Sequence, residues 1–379
     1  MLIGIPKEMM PHEKRVSLTP DSVSKLIKLG VEILVESHAG DNAYFFDDDY
    51  KNSGATITPN AEDLYKSADV ILKIQKPTVN EVSMMKKDSI IAALIQPLSN
   101  LDLVKTLAET SITSLSLDAI PRIARAQRMD VLSSQSSISG YKSVITAAHS
   151  LGIHFPLMMT AAGTMPPAKG LVIGAGVAGL QAIATGKRLG AVMYAFDVRP
   201  AVKEQVESLG AKFIEAEQYE LKDIEVKGGY ARNQTDSELT ETQNIISAVI
   251  KDMDFVITTA QIPGSTAPVL ISESMVKSMK PGSIIIDLAA ESGGNCALTE
   301  LGKTVISNNV HIYGPENLPS TMSKHASQMF SKNMTSFIEL LIKDAEIDLD
   351  INDSIIKECL ITFNGAIHHQ RTLEAINSR

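Results

Sequence analysis

The sequence predicts an α/β protein with mostly parallel sheets, split into two domains, one inserted in the other. Three observations carry that prediction. The chain has 379 residues, 44% of them apolar, enough to build two separate cores. Short apolar runs alternate with amphipathic stretches along both halves of the chain, the pattern of helices packed on a parallel sheet. The last long amphipathic run has no strand after it to feed a Rossmann sheet, which returns it to the first domain.

The elements follow in order. "LIGI", "VEILVE", "DVILKI", "SIIAALI" and "SITSLSL" read as strands, with "DSVSKLIKLG" and "LDLVKTLAE" as helices between them. The first helix has its own punctuation: Thr19 as cap, Pro20 and Asp21 in the first turn, Val23, Leu26 and Ile27 on one face, Gly30 as stop. A second block supplies the strands "GLVIGAG", "VMYAFDV", "DFVITTAQ" and "SIIIDLA". After "HIYGPENLPS" the pattern turns helical, with Met329, Phe330, Met334, Phe337, Leu340 and Leu341 at helix spacing. The expected joints give a discontinuous domain of 1–133 plus 315–379 and a continuous one of 134–314.

Composition excludes several functions. A net charge of −9 and an excess of acids over bases argue against a nucleic-acid backbone as partner. Cys296 and Cys359 are too few for a disulfide framework and stand in no zinc-ligand spacing, so no metal is expected. The N-terminus meets Lys7 and Glu8 early, which does not suit a signal peptide. The most apolar stretch, 171–186, is shorter than a membrane span and is interrupted by Gly174, Gly176, Gly179 and Gly186.

The central motif is Gly174-Ala175-Gly176-Val177-Ala178-Gly179, a GxGxxG between an apolar strand and a helix-period run of Leu180, Ile183, Ala184 and Lys187. Gly174 permits the tight turn, Gly176 lets the backbone approach a pyrophosphate, and Gly179 lets helix and strand pack closely. Asp197 ends the next strand, where an acid accepts the adenosine ribose hydroxyls and repels a 2′-phosphate. NAD(H) is therefore favoured over NADP(H), although Arg199 stands close enough to receive such a phosphate. Strand, glycines, helix and acid in register predict a Rossmann-like domain, and the alternation upstream of it predicts a second one.

Two further stretches stay open. "TTAQIPGSTAP" follows a strand at the ligand-binding end of such a sheet, so Ala260 and Gln261 either face the ribose or belong to a loop without ligand contact. Residues 215–243 carry no sustained apolar period, and are either a lid hinged at Gly228 and Gly229 with Tyr230 closing, or a solvated excursion with a short helix near Glu238.

An alcohol or amine dehydrogenase must remove a proton as well as a hydride and so requires a base. His12, His149, His154, His311, His325, His368 and His369 are scattered and sit in no catalytic motif. Hydride transfer between two nicotinamides needs only two C4 atoms held close together, with no base.

"RIARAQRMDVLSS", "GGYA" and the fingerprint complete a pattern. Over essentially its full length the chain resembles the NAD(H)-binding domain I of proton-translocating NAD(P) transhydrogenases. The resemblance implies that Arg122, Asp130 and Ser133 hold the nicotinamide and its carboxamide, and that Gln127 reaches toward NADP(H) on a partner chain. It implies NAD contacts at Val177, Asp197, Val198, Arg199, Gly229, Gln243 and Gln261, with Tyr230 closing a mobile loop. It also implies a homodimer, with NADP(H)-binding and transmembrane subunits holding it at the inner face of the bacterial plasma membrane. One fingerprint and no membrane span place the second nucleotide and the proton path on those partners.

Alanine dehydrogenases are the nearest alternative, similar at "GIPKE", "KRVSLTP" and the GxGxxG. The resemblance to them implies a lysine and a histidine at the substrate, and the matching positions here are Gln75 and Gln96, neither of which is a base near neutral pH. Glu291 matches their aspartate and Arg15 is retained. A non-catalytic NAD-sensing module is the third reading; it would need the glycines and Asp197 but not Arg122, Gln127 or Asp130.

Overall fold

The computed structural model describes the chain apart from residues 216–224, 227–229, 233, 263 and 379. It forms two compact units, Met1–Gln135 with Ser320–Arg379, and Ser136–Pro319. The helices used below are α1 (Pro20–Ile27), α2 (Val131–Ser150), α3 (Val177–Arg188), α4 (Asp236–Ile250), α5 (Ser323–Leu341) and α6 (Ser354–Cys359).

The first unit is built on β1 (Leu2–Ile5), β2 (Glu32–Glu36), β3 (Thr56–Thr58), β4 (Val70–Gln75), β5 (Ile90–Leu94) and β6 (Thr113–Ser116), all parallel, in the order β6-β5-β4-β1-β2-β3. The central strands read as unbroken apolar runs because both faces are covered. Along β4 the faces alternate: Val70, Leu72 and Ile74 pack with Phe330, Met334 and Phe337 of α5, while Ile71 enters a second core with Leu64, Val104 and Leu107.

Two details differ from expectation. Thr19 precedes α1 but does not cap it; its amide and hydroxyl both donate to Ser331 Oγ, at 2.9 and 3.3 Å, so α5 takes the side chain that the first turn would have used. A strand does follow α5: Leu360–Phe363 joins β6 antiparallel and carries Ala366–Ile367 at the sheet edge. An antiparallel edge strand needs no crossover helix, so the α/β alternation gave no sign of it.

The second unit contains β7 (Lys169–Ile173), β8 (Val192–Phe196), β9 (Lys212–Phe213), β10 (Phe255–Thr258), β11 (Ile284–Asp287), β12 (Thr304–Ser307) and β13 (Val310–Tyr313). Their order is β9-β8-β7-β10-β11-β13-β12, parallel except for β12. The order reverses between β7 and β10, which is where open sheets of this type bind ligands, at the carboxyl ends of the strands. Two cores flank the sheet by strict alternation: Val172, Phe255, Ile257, Ile284 and Ile286 on one face, Leu171, Ile173, Val256 and Ile285 on the other. Gly170 makes this packing possible, since a Cβ there would lie 2.2 Å from the Phe255 ring.

The serine-rich, polar run after residue 130 is the first half of α2. Its inward positions Val131, Gln135, Ile138, Gly140, Val144 and Ala147 keep helix spacing, but Gln135 and Gly140 dilute the apolar stripe. The stretch from 235 is likewise helical: Thr235 and Glu238 make a capping box that starts α4.

Candidate nucleotide site

In the second unit the three fingerprint glycines meet three different demands. Gly174 has φ +94°, a left-handed conformation, and a Cβ on it would lie 2.6 Å from Thr259 Oγ1. A Cβ on Gly179 would lie 1.9 Å from the Gly174 carbonyl oxygen, closer than any side chain tolerates. A Cβ on Gly176 would meet nothing within 4 Å. Gly174 and Gly179 are thus required by the protein itself, whereas the space over Gly176 is free for a ligand. Gly176 also precedes α3, whose start no side chain caps, leaving the helix N-terminus to an anion. Val177, in the first turn, is 40% exposed, which suits contact with a bound molecule better than core packing.

A glycine that sequence reading missed supports this turn. Gly140 of α2 lies against Ala178 so closely that a Cβ would sit 2.0 Å from the Ala178 oxygen. The available signal was a lone glycine inside a helical run.

Asp197 follows β8 and is 4% exposed. Its Oδ2 accepts the Ala175 amide at 2.7 Å, tying the acid to the glycine turn. The same carboxylate receives the Arg199 amide and Nε at 2.9 Å and Nη2 at 2.8 Å. Asp197 and Arg199 are therefore one neutralised pair rather than an acid and a separate cation. Val198 between them packs half-buried against the second-unit core.

The loop after β10 is held from below. Thr259 Oγ1 donates to the Gly174 carbonyl at 2.8 Å, joining the loop to the glycine turn. Asn295, fully buried, grips Ala260 on both sides: its Oδ1 accepts the Ala260 amide at 3.0 Å and its Nδ2 donates to the Ala260 carbonyl at 2.9 Å. Asn295 is set in turn by Asp287, a fully buried carboxylate that accepts from the hydroxyls of Thr258 and Thr299 and the amides of Ala289, Asn295 and Cys296. Asp287 and Asn295 were not singled out from sequence, although Asp287 ends its strand as Asp197 ends another. Gln261 is exposed, and its Nε2 donates to the Leu288 carbonyl at 2.8 Å. Gln243, in α4, is bonded elsewhere, to the Val269 carbonyl at 2.8 Å. Gly229 and the Tyr230 side chain lie outside the described residues; the Tyr230 backbone pairs antiparallel with Val226.

The first unit carries the polar segment. Asp130 immediately precedes α2 and receives the Ser133 amide at 2.8 Å and hydroxyl at 2.6 Å. Arg122 Nε stands 4.0 Å from the same carboxylate. Arg122, Asp130 and Ser133 thus come together, with Gln127 exposed on the 3₁₀ turn Ala124–Met129 between them. Asp-x-x-Ser ahead of a helix is a capping arrangement, so part of this segment's polarity is local structure.

The positions where an amino-acid dehydrogenase keeps its base are occupied differently. Gln75 Nε2 donates to Glu13 Oε2 at 2.8 Å, and Gln96 is an exposed residue with φ +50°. Arg15 is 4% exposed, grips Glu13 through Nε and Nη2 at 2.8 and 2.6 Å, and gives Nη1 to Gln135 at 2.9 Å. Glu291 accepts the Asn317 amide at 2.7 Å. Below Gln75, burial pushes Glu8 up to about 7 while Lys73, at 3.6 Å, opposes the rise. Lys73 itself lies 2.5 Å from Glu81, which also accepts from Tyr65.

Among the described residues, His38, Asp41 and Asp47 bring ligand atoms within 4.8 Å of one another. His38 already contacts Asp41, and Asp47 accepts from Ser37 and the His38 amide. No helix of the described residues is long and apolar enough to cross a membrane.

Comparison with known proteins shows the family. Residues 4–139 match the family model for the alanine dehydrogenase/PNT N-terminal domain and residues 143–370 the model for its C-terminal domain. The chain is 46% identical to an NAD(P) transhydrogenase subunit alpha polypeptide of Rhodospirillum rubrum, covering 97% of this chain and 98% of that one. Its structure resembles that of a transhydrogenase from Sinorhizobium meliloti, with TM-score 0.86 and 40% identity over 98% of this chain and 100% of that one. An alanine dehydrogenase of Staphylococcus epidermidis is 26% identical, over 100% of this chain and 97% of its own.

Proposed function

We propose, from the premise that the chain belongs to the alanine dehydrogenase/PNT family, that it is the NAD(H)-binding subunit of a proton-translocating NAD(P) transhydrogenase. It works with NADP(H)-binding and transmembrane partner subunits, as a homodimer held by those partners at the inner face of the bacterial plasma membrane.

When bound, NADH supplies a hydride from its nicotinamide. The residues of this chain bind and orient it. The open backbone at Gly176 and the start of α3, with Val177, receive the pyrophosphate. Asp197, Val198 and Arg199 receive the adenosine ribose, while Ala260 and Gln261, steadied by Asn295, face the other ribose. As the family resemblance implies, Gly229 and Gln243 of α4 contact the nucleotide and Tyr230 closes over it. Arg122, Asp130 and Ser133 hold the nicotinamide and its carboxamide, and Gln127 faces the NADP(H) of the partner. None of these groups has to accept a proton, because hydride passage between nicotinamides depends on placement.

The observation that carries this reading is Gln75. Its amide donates to Glu13 where an amino-acid dehydrogenase would keep a lysine, so oxidation of an amino acid has no base there. The test mixes the purified chain with an NADP(H)-binding transhydrogenase domain and follows hydride transfer from NADH to an NADP⁺ analogue. Transfer in the mixture, and none from alanine to NAD⁺ by the chain alone, is expected. Alanine turnover without transfer would reverse the assignment. Asp130→Asn and Arg122→Ala are expected to slow transfer about tenfold or more while weakening NADH binding less, since both act at the reacting ring.

A further inference from the structure

The 3₁₀ turn Ala124–Met129 is longer than such turns usually run, and 3₁₀ hydrogen bonds are poorly aligned. Something besides its own backbone must hold it. Ala126 and Met129, 1% and 8% exposed, enter the first-unit core from one face, as the three-residue period of the turn dictates. That leaves Gln127 and Arg128 on the outside.

Two polar anchors then bracket Gln127. On one side Arg125 Nη2 lies 2.6 Å from both carboxylate oxygens of Asp353 and 3.5 Å from Ser354 Oγ. Asp353 is already fixed, because it caps α6 by accepting the Ile355 and Ile356 amides at 2.8 and 3.5 Å. On the other side Asn333 of α5 donates Nδ2 to the Arg128 carbonyl at 2.7 Å. The Oδ1 of the same amide is buried and has no partner among the described residues. An orphaned buried acceptor costs stability, so for stability alone an apolar side chain would serve better at 333. Arg125, half exposed, adds little stability through its ion pair either. Both side chains make better sense as supports for the turn than for the core.

We propose that Arg125, Asp353 and Asn333 clamp the 124–129 turn from its two ends, and that they are positioning residues for hydride transfer, acting through Gln127. The proposal rests on the reading of Gln127 as the residue that meets the partner's nucleotide. The functional reading assigns none of the three to the nucleotide, so NADH affinity is expected to change little.

The test uses the full chain with the NADP(H)-binding domain. Arg125→Met and Asn333→Leu are each expected to lower the transfer rate about tenfold and to leave the NADH dissociation constant within about twofold. Arg125→Lys is expected to recover most of the rate, because it keeps the charge facing Asp353. Asn333→Leu is expected to melt no lower than wild type, which separates a clamp from a fold support. In a Gln127→Ala background neither substitution is expected to slow transfer further, the signature of action through that side chain. Losses that add to that of Gln127→Ala, or a lower melting temperature with an unchanged rate, would overturn the clamp. Amide exchange at Ala126 and Asp130, whose hydrogen bonds close the turn, gives a readout independent of transfer. If the wild-type chain transfers no hydride, the functional reading fails, and exchange decides the clamp: faster in both variants supports it, unchanged sinks it.

Discussion

Glu13-Lys14-Arg15 in the first unit and Asp197-Val198-Arg199 in the second fold into the same local device. In each, the arginine amide and guanidinium turn back on the acid two residues earlier, with contacts of 2.6–2.9 Å. Surroundings separate them. The Glu13 and Arg15 side chains are 0% and 3% exposed, and Gln75 and Gln135 are bonded to them as third partners. The Asp197 and Arg199 side chains are 4% and 13% exposed and stand beside the glycine turn through Ala175. An acid-x-arginine triplet sets the geometry of the pair, and the third partners decide whether the pair is sealed or able to meet a ligand.

The largest consequence concerns the sealed pair. Arg15→Met leaves the buried Glu13 without its cation and is expected to destabilise the chain by about 3–5 kcal/mol in denaturant unfolding. NADH binding by the folded fraction is expected to stay unchanged. Acid adds a second check. Burial is the largest influence and would raise the Glu13 carboxyl, but the Arg15 charge together with the hydrogen bonds from Arg15 and Gln75 overcomes it and holds the group at about 2 rather than the usual 4.5. Its stabilisation is therefore complete above about pH 4.5 and lost as pH falls toward 2. An Arg15→Met chain as stable as wild type at neutral pH would remove the distinction between the two triplets.

A neighbouring acid titrates the other way. Burial raises Glu8 to about 7, and its proton is retained in the folded state at pH values where an unfolded chain has lost it. The folded carboxyl's contribution is complete below about 4.5 and lost as pH rises through 7. Glu8→Gln cannot ionise, so wild type is expected to lose up to about 1.4 kcal/mol per pH unit relative to it between about pH 4.5 and 7. Parallel stability curves over that interval would mean that Lys73 and the Ile74 amide keep Glu8 charged throughout.

How far this was legible depends on what each feature requires. The parallel strands could be read because a strand covered on both faces must be largely apolar along its length, as "IIAAL" is. The glycines could be read because turn, phosphate approach and helix packing impose a fixed spacing. Helix α2 could not, since its buried stripe contains Gln135 and Gly140, chosen for a hydrogen bond to Arg15 and for close approach to Ala178. Asp287 looks in sequence like any acid after a strand, and its five donors come from positions up to 29 residues away. The same limit applies to Asp197. The proposal that it is the ribose acid came from spacing, but its pairing with Arg199 is a matter of side-chain direction, which spacing does not carry.

That pairing yields the smallest and sharpest prediction. An unpaired carboxylate at the ribose rejects a 2′-phosphate by charge, but here the guanidinium cancels most of that charge and offers the phosphate a donor. Arg199→Ala is expected to cost stability, though less than Arg15→Met, because the buried acid loses its cation but stays bonded to the Ala175 amide. NADH affinity is expected to fall less than about threefold, and NADPH affinity about tenfold, so that discrimination grows when a positive charge is removed. The added discrimination should shrink with salt, since it is a repulsion between charges near the surface. Asp197→Asn keeps one acceptor and removes the charge, and is expected to move selectivity the opposite way, toward NADPH. If both substitutions lower NADH and NADPH affinity by the same factor, the pair supports the glycine turn and has no part in choosing the nucleotide, and the second triplet is then as sealed as the first.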